Sequence, residues 1–163
     1  MGAGEFRLCD ILLDTGFAGS DARIRHEHAI AIFGLVESNT FAPIGHSGGP
    51  YRLTIARSGA GVALLTTTDE GVDVTSHYLA LAALRRVIKD YSRICEGYFG
   101  AIAWPGPERL EAIEMSRRSI HDTAAALLRE QLSSTVIVDK DTARRLFTLI
   151  YALLAQKSAL AWC

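Results

Sequence analysis

Tyr51-Arg-Leu-Thr-Ile-Ala56, Val62-Ala-Leu-Leu-Thr-Thr67 and Val72-Asp-Val-Thr-Ser-His-Tyr78, followed by Leu81-Ala-Ala-Leu-Arg-Arg-Val-Ile-Lys-Asp-Tyr91, decide the fold class. In the first segment Tyr51, Leu53 and Ile55 alternate with Arg52, Thr54 and Ala56, the period-2 pattern of a half-buried strand. Ser58-Gly-Ala-Gly61 turns the chain into the second segment, and Thr68-Asp-Glu-Gly71 turns it into the third. Turns this short favour an antiparallel meander. From Leu81 the period changes. Leu81, Leu84, Ile88, Tyr91, Cys95, Tyr98 and Ile102 recur at helical spacing and form one face.

Upstream, Arg7 to Leu13 reads as a short strand ending at Asp14-Thr-Gly16. Ser20 or Asp21 can cap a helix that runs to about Ser38. Its expected apolar stripe is Ala29, Ile32, Phe33 and Val36, with Ile24, Ala31 and Leu35 beside it. Asn39 to Pro50, rich in Gly and Pro, reads as a loop. Downstream, Trp104-Pro-Gly-Pro107 stops the second helix, and Pro107 suits the first turn of a third, from about Glu108 to Leu132. Thr135 to Val138 is a lone strand or a linker. Asp139 or Asp141 then caps a last helix through about Ala155. The expected fold is α+β: a small, mostly antiparallel sheet of about four short strands with about four helices on one face. A parallel pairing of the first strand also fits, because a helix follows it. Leu146-Phe-Thr-Leu-Ile-Tyr-Ala-Leu-Leu154 is apolar almost all round, which calls for a central position or a homodimer contact.

The bulk numbers bound the function. A chain of 163 residues, 49% hydrophobic and 21% charged, fits a single domain spanning 1–163, with a folded core over 7–155 and disorder expected at 1–6. The formal net charge of −1 supplies no long-range field toward nucleic acid or membrane, so a nucleic-acid partner is not expected. No run reaches the roughly 18 apolar residues of a membrane span. Glu5 stands where a signal peptide would be basic, so a secretion signal is not expected either. Cys9, Cys95 and Cys163 are odd in number and far apart, which indicates neither a disulfide framework nor a thiolate zinc site. A reducing cytoplasm is the simplest setting, and no cofactor is indicated.

Several strings resemble uncharacterised protein family 0262, a set of small alphaproteobacterial proteins. They are Glu27-His28 leading into Ala31-Ile-Phe33, Gly48-Gly-Pro-Tyr-Arg-Leu53, Arg85-Arg86 with Lys89-Asp-Tyr91, Ile94-Cys-Glu96, Ile113-Glu-Met115 with Arg117-Arg118, and Asp141-Thr-Ala-Arg-Arg-Leu-Phe-Thr-Leu149. They run in family order from about Arg7 to Leu154. The resemblance implies a bacterial cytosolic protein and brings no assigned activity with it. The family pattern His-Asn-Glu-Gly-Ser becomes His121-Asp-Thr-Ala-Ala125 here, so only His121 carries over.

Gly45-His-Ser-Gly-Gly49 matches the G-x-S-x-G nucleophile elbow. That motif needs a helix after the serine to present it and stabilise an oxyanion, and here Pro50 and a strand follow. A loop that shapes the start of the strand is the plainer reading. A binding loop with His46 and Tyr51 as contacts is the other. His26 and His28 lie two apart and point to roughly opposite sides of a helix, so they share no metal. His77 is expected on the polar face of its strand with Asp73 and Thr75. No local spacing supports a metal site among His46, His77 and His121.

Double arginines carry more information. Arg85, Lys89 and Arg93 make a basic ridge on the second helix, with Arg86 able to pair with Asp90 on its flank. Glu114, Arg118 and His121 share a ridge on the third. Arg117 falls on that helix's apolar stripe of Leu110, Ile113, Ile120, Ala124 and Leu127. It requires an acid, a carbonyl, an outward reach or a ligand anion, since an unpaired charge in the core costs on the order of 3–5 kcal/mol. Two function classes follow. One is a non-enzymatic cytosolic binding or adaptor protein with an arginine-rich surface for a protein or a small anion. The other is a small enzyme acting on a phosphorylated or acidic metabolite, with His121, His77 or His46 as acid–base and Arg117 and Arg118 holding the anion.

Overall fold

A computed structural model describes residues 5–14, 22–103 and 106–155, without the side chains of 23, 24, 95–103 and 155. The expectations for Ser20, Asp21, Ile24, Cys95, Tyr98, Ile102, Trp104 and Cys163 lie outside this description. The elements, in order, are β1 (Leu8–Leu13), α1 (Ala22–Glu37), β2 (Phe41–Pro43), β3 (Tyr51–Ser58), β4 (Gly61–Thr68), β5 (Asp73–Ala80), α2 (Leu81–Ala103), α3 (Pro107–Leu132), β6 (Val136–Val138) and α4 (Lys140–Ala155). The fold is α+β. A four-stranded sheet runs in the order β1-β3-β4-β5. The β3–β4–β5 meander is antiparallel and β1 pairs with β3 in parallel. Gly59, at φ +56°, makes the two-residue turn between Ser58 and Gly61, a conformation that glycine adopts without steric cost.

One difference from the expected sheet is a second ribbon. Phe41–Pro43, inside the segment read as loop, pairs antiparallel with Val136–Val138, so the short β-branched run is a strand with a partner. The meander's inner face follows the alternation, with Tyr51, Leu53, Ile55, Val62, Leu64 and Leu79 all buried. His77 shares the phase of Leu79 and sits opposite Leu64, so its side belongs to the inner face, contrary to the polar face expected for it. Its Nδ1 lies 2.8 Å from Thr135 Oγ1.

The last helix is central. Leu146, Phe147, Leu149, Ile150, Tyr151 and Leu153 are buried by the chain's own α1, α2 and α3 neighbours, which accounts for a helix apolar on every side without a partner. Asp139 caps it, accepting from the Thr142 N–H at 2.9 Å. Burial pushes the Asp139 carboxyl up, but hydrogen bonds from Thr142 and Thr40 outweigh this and hold it below its usual range.

Helix α1 is rotated from the expected stripe. Leu35 and His28 are buried, while Phe33 is 70% exposed and Ile30 56% exposed. Asn39 fastens this helix to β1. Its carboxamide accepts from the Leu8 N–H at 2.7 Å and donates to the carbonyls of Leu8 and Leu35. One side chain thus serves both backbone groups of Leu8 and the open carbonyls at the C-terminal end of α1.

Candidate functional site

Helices α1, α3 and α4 enclose a cleft of about 380 Å³. Helix α3 contributes Arg117 and His121, and α4 contributes Arg144, Arg145 and Thr148. Helix α1 closes the remaining side with Ile30, Ala31, Gly34 and Leu35. The helical period explains the gathering. Arg117 and His121 are four apart on α3, and Arg144 and Thr148 are four apart on α4, so each pair projects from one face.

The guanidiniums are held in place. Arg117 forks onto Glu114, with Nε donating to Oε2 at 2.9 Å and Nη2 to Oε1. Arg118 Nε reaches the same carboxylate at 3.4 Å. Arg117 first, and Arg118 after it, hold the Glu114 carboxyl below its ordinary range. The counterpart that Arg117 requires is therefore the acid one turn before it. Arg144 pairs with Asp141 at 3.6 Å. Arg145 Nη1 donates to the carbonyls of Gly34 at 3.0 Å and Ser38 at 3.4 Å, capping the C-terminal end of α1, where a cation is favoured. Among the described residues no carboxylate pairs with Arg145.

Behind the cleft lies an aromatic layer. Tyr91 is fully buried, its ring 5.1 Å from that of His121 and 4.7 Å from that of Tyr151. Burial, then Tyr151, pushes its phenol up to about 12, against a pull from Arg117 and Thr148. Tyr91 is a neutral phenol at physiological pH and a rigid wall for His121. Thr148 Oγ1 donates to the Arg144 carbonyl at 3.0 Å.

The other sequence-predicted positions do not join this cleft. His46 and Tyr51 meet each other: the Tyr51 hydroxyl is 3.0 Å from His46 Nδ1, which also accepts from the Gly48 N–H at 3.0 Å. Tyr51 is fully buried, so it anchors the loop to the core. A Cβ on Gly48 would stand 2.7 Å from His46 Cε1, and one on Gly49 would run into the Glu5 carbonyl and the Tyr51 ring. That packing explains Gly49, the last glycine of the G-x-S-x-G match, while Gly45, the first, sits at φ +76°, a backbone conformation that glycine adopts without steric cost. Ser47 is exposed and β3 follows it, so no elbow forms. His77 stands with Thr135. Arg86 is exposed on α2, and among the described residues its expected pairing with Asp90 is not formed. The residues the sequence reading missed are Arg144 and Arg145. Their adjacency in the sequence was the available signal.

Among the described residues, no cluster of three or more potential ligands could hold a metal, and no helix is long and apolar enough to cross a membrane. The chain matches the profile of an uncharacterised protein family, UPF0262, over residues 5–156. It is 50% identical over 153 residues to a UPF0262 protein of Rhizobium leguminosarum bv. trifolii, covering 94% of this chain and 98% of that relative. It is 48% identical over 153 residues to one from Agrobacterium fabrum, with the same coverage. A relative in Brucella anthropi is 44% identical over 148 residues, 90% of this chain and 92% of its own length. No solved structure matches the chain.

Proposed function

This chain belongs to the uncharacterised protein family UPF0262, and on that premise we propose that it is a non-enzymatic binding protein of the bacterial cytoplasm, acting as one domain. The cleft between α1, α3 and α4 holds an anionic group of its ligand, a carboxylate or a phosphate. The observation that carries this reading is the local charge. Three guanidiniums line the cleft: Glu114 is shared between Arg117 and Arg118, which lies outside the lining, Asp141 serves Arg144, and among the described residues Arg145 is held by carbonyls rather than by a carboxylate. A chain with a formal net charge of −1 thus concentrates positive charge at one concave place. Arginine forks suit planar carboxylates and phosphates alike, and side chains already fixed lose little freedom on binding.

His121 in the same cleft supports the second reading, a small enzyme acting on a phosphorylated or acidic metabolite. Among the described residues the cleft lining includes no Cys, Asp or Glu, and the Thr148 hydroxyl is engaged with a carbonyl, so binding is the better supported of the two. A homodimer through α4 is not part of this reading, because the chain itself covers that helix.

Thermal unfolding in inorganic phosphate and in citrate, against chloride at matched ionic strength, tests the proposal. Both anions are expected to raise the Tm of the unaltered chain, with the increment lost in Arg144→Gln and in Arg145→Gln and kept in Arg118→Gln, which lies outside the lining. Arg144→Gln leaves the α1 cap intact and so separates ligand loss from misfolding. An equal increment in all variants, or none in any, overturns the site.

A further inference from the structure

Helix α1 is apolar on two sides. Its inner side is occupied: Leu35 is buried, and Ala31, Ile32 and Val36 pack against the core. Its outer side carries Ile30 and Phe33, 56% and 70% exposed. Three residues apart, they share a face. Ile30 and Gly34 form one wall of the arginine cleft, and Arg144 and Arg145 stand across it. Apolar rim and fixed guanidiniums are therefore one continuous surface. Large exposed aliphatic and aromatic side chains beside arginines are the composition of interface anchors rather than of ordinary surface.

We infer that the anionic group belongs to an acidic amphipathic segment of a partner protein, whose carboxylates enter the cleft while its apolar side chains cover Ile30 and Phe33. This rests on the anion-binding reading above and names its ligand class. The fit is one of charge and spacing. A helix with Glu or Asp three or four residues from Leu, Ile or Phe presents both chemistries on one face, and helix-in-groove recognition uses that spacing. A cleft of about 380 Å³ takes a few side chains and not a folded body. A nucleic acid would offer phosphates to the same arginines, but its uniformly charged backbone would also pass the exposed Glu37, one turn beyond Phe33. A peptide can place an apolar residue there instead.

Fluorescence anisotropy with the full chain tests this. The probes are a dye-labelled model helix with Leu and Glu on one face, polyglutamate of the same length, and oligouridylate. The Leu/Glu helix is expected to bind best. Phe33→Ser, Ile30→Ser and Arg144→Gln are each expected to weaken it on the order of tenfold, while polyglutamate is weakened by Arg144→Gln alone. Both α1 positions are exposed, so these variants fold, which circular dichroism verifies. Peptide binding indifferent to Phe33→Ser and Ile30→Ser, absence of peptide binding, or tighter binding of oligouridylate overturns the inference. If any of these occurs while phosphate still raises the Tm through Arg144 and Arg145, the anion site stands and only the peptide ligand falls. Loss of the phosphate effect as well removes both.

Discussion

Helices α4 and α1 have the same kind of sequence and opposite fates. In α4, apolar side chains point in several directions and the chain covers Leu146, Phe147, Leu149, Ile150 and Leu153, each at most 1% exposed, with Leu154 partly buried. In α1, Leu35 is 1% exposed and Phe33, two residues earlier, is 70% exposed. The difference lies in the neighbours. Helix α4 has α1 on one side and α3 on another, while α1 contacts α4 and β1 and has nothing described on its outer side. An apolar pattern states that a face favours cover; only tertiary context states whether the chain supplies it.

Substitutions sharpen that contrast. The largest effect is expected at the centre of α4. Phe147→Ala removes a ring that meets Tyr91 edge-on at 5.6 Å, and should cost about 3–5 kcal/mol in urea unfolding. A loss below about 1 kcal/mol would mean that α4 is not the core. Next is the fastening of α1. Asn39→Ala strips partners from the Leu8 backbone and the end of α1 and should cost about 1–3 kcal/mol by the same measurement.

The contact between the two helices should respond to pH. His28 is buried on the inner side of α1, and burial lowers its pKa against smaller upward pulls from Glu27 and the Ala152 carbonyl of α4. The unfolded chain titrates this group near pH 6.5. Below that value the unfolded state binds a proton that the folded state resists, so stability is full above about pH 6.5 and falls as pH drops toward the lower folded value. His28→Leu is expected to flatten this slope in urea midpoints taken at several pH values. An unchanged slope would place the titration elsewhere. The smallest effect is expected on the outer side of α1, where Phe33→Ser should shift stability by no more than about 0.5 kcal/mol. A large loss there would show that Phe33 supports the fold.

Much of this fold was legible because local pattern and tertiary structure agree. The alternation from Tyr51 to Ile55 gives β3, and the change of period at Leu81 marks the start of α2. The β2–β6 ribbon was not legible, since each strand is three residues long, one ends in Pro43, and the two pair across most of the chain. The exposed side of α1 was misread because Ile32 and Phe33 are both apolar and periodicity does not rank two greasy faces. At the cleft, Arg117 and His121 stood out by their place on α3. Glu114, three residues before Arg117, was the partner that helical spacing offers. Arg144 and Arg145 became site residues only through the packing of α4 between α1 and α3, which no local spacing encodes.

Amide chemical shifts of the ¹⁵N-labelled chain, followed as inorganic phosphate and then the Leu/Glu helix are added, test the arginine cleft most directly. The expected result is a saturable shift confined to Gly34, His121, Arg144, Arg145 and Thr148, extended by the peptide to Ile30 and Phe33. Shifts that never saturate, or that gather at Arg85 and Lys89 on α2 instead, would contradict it.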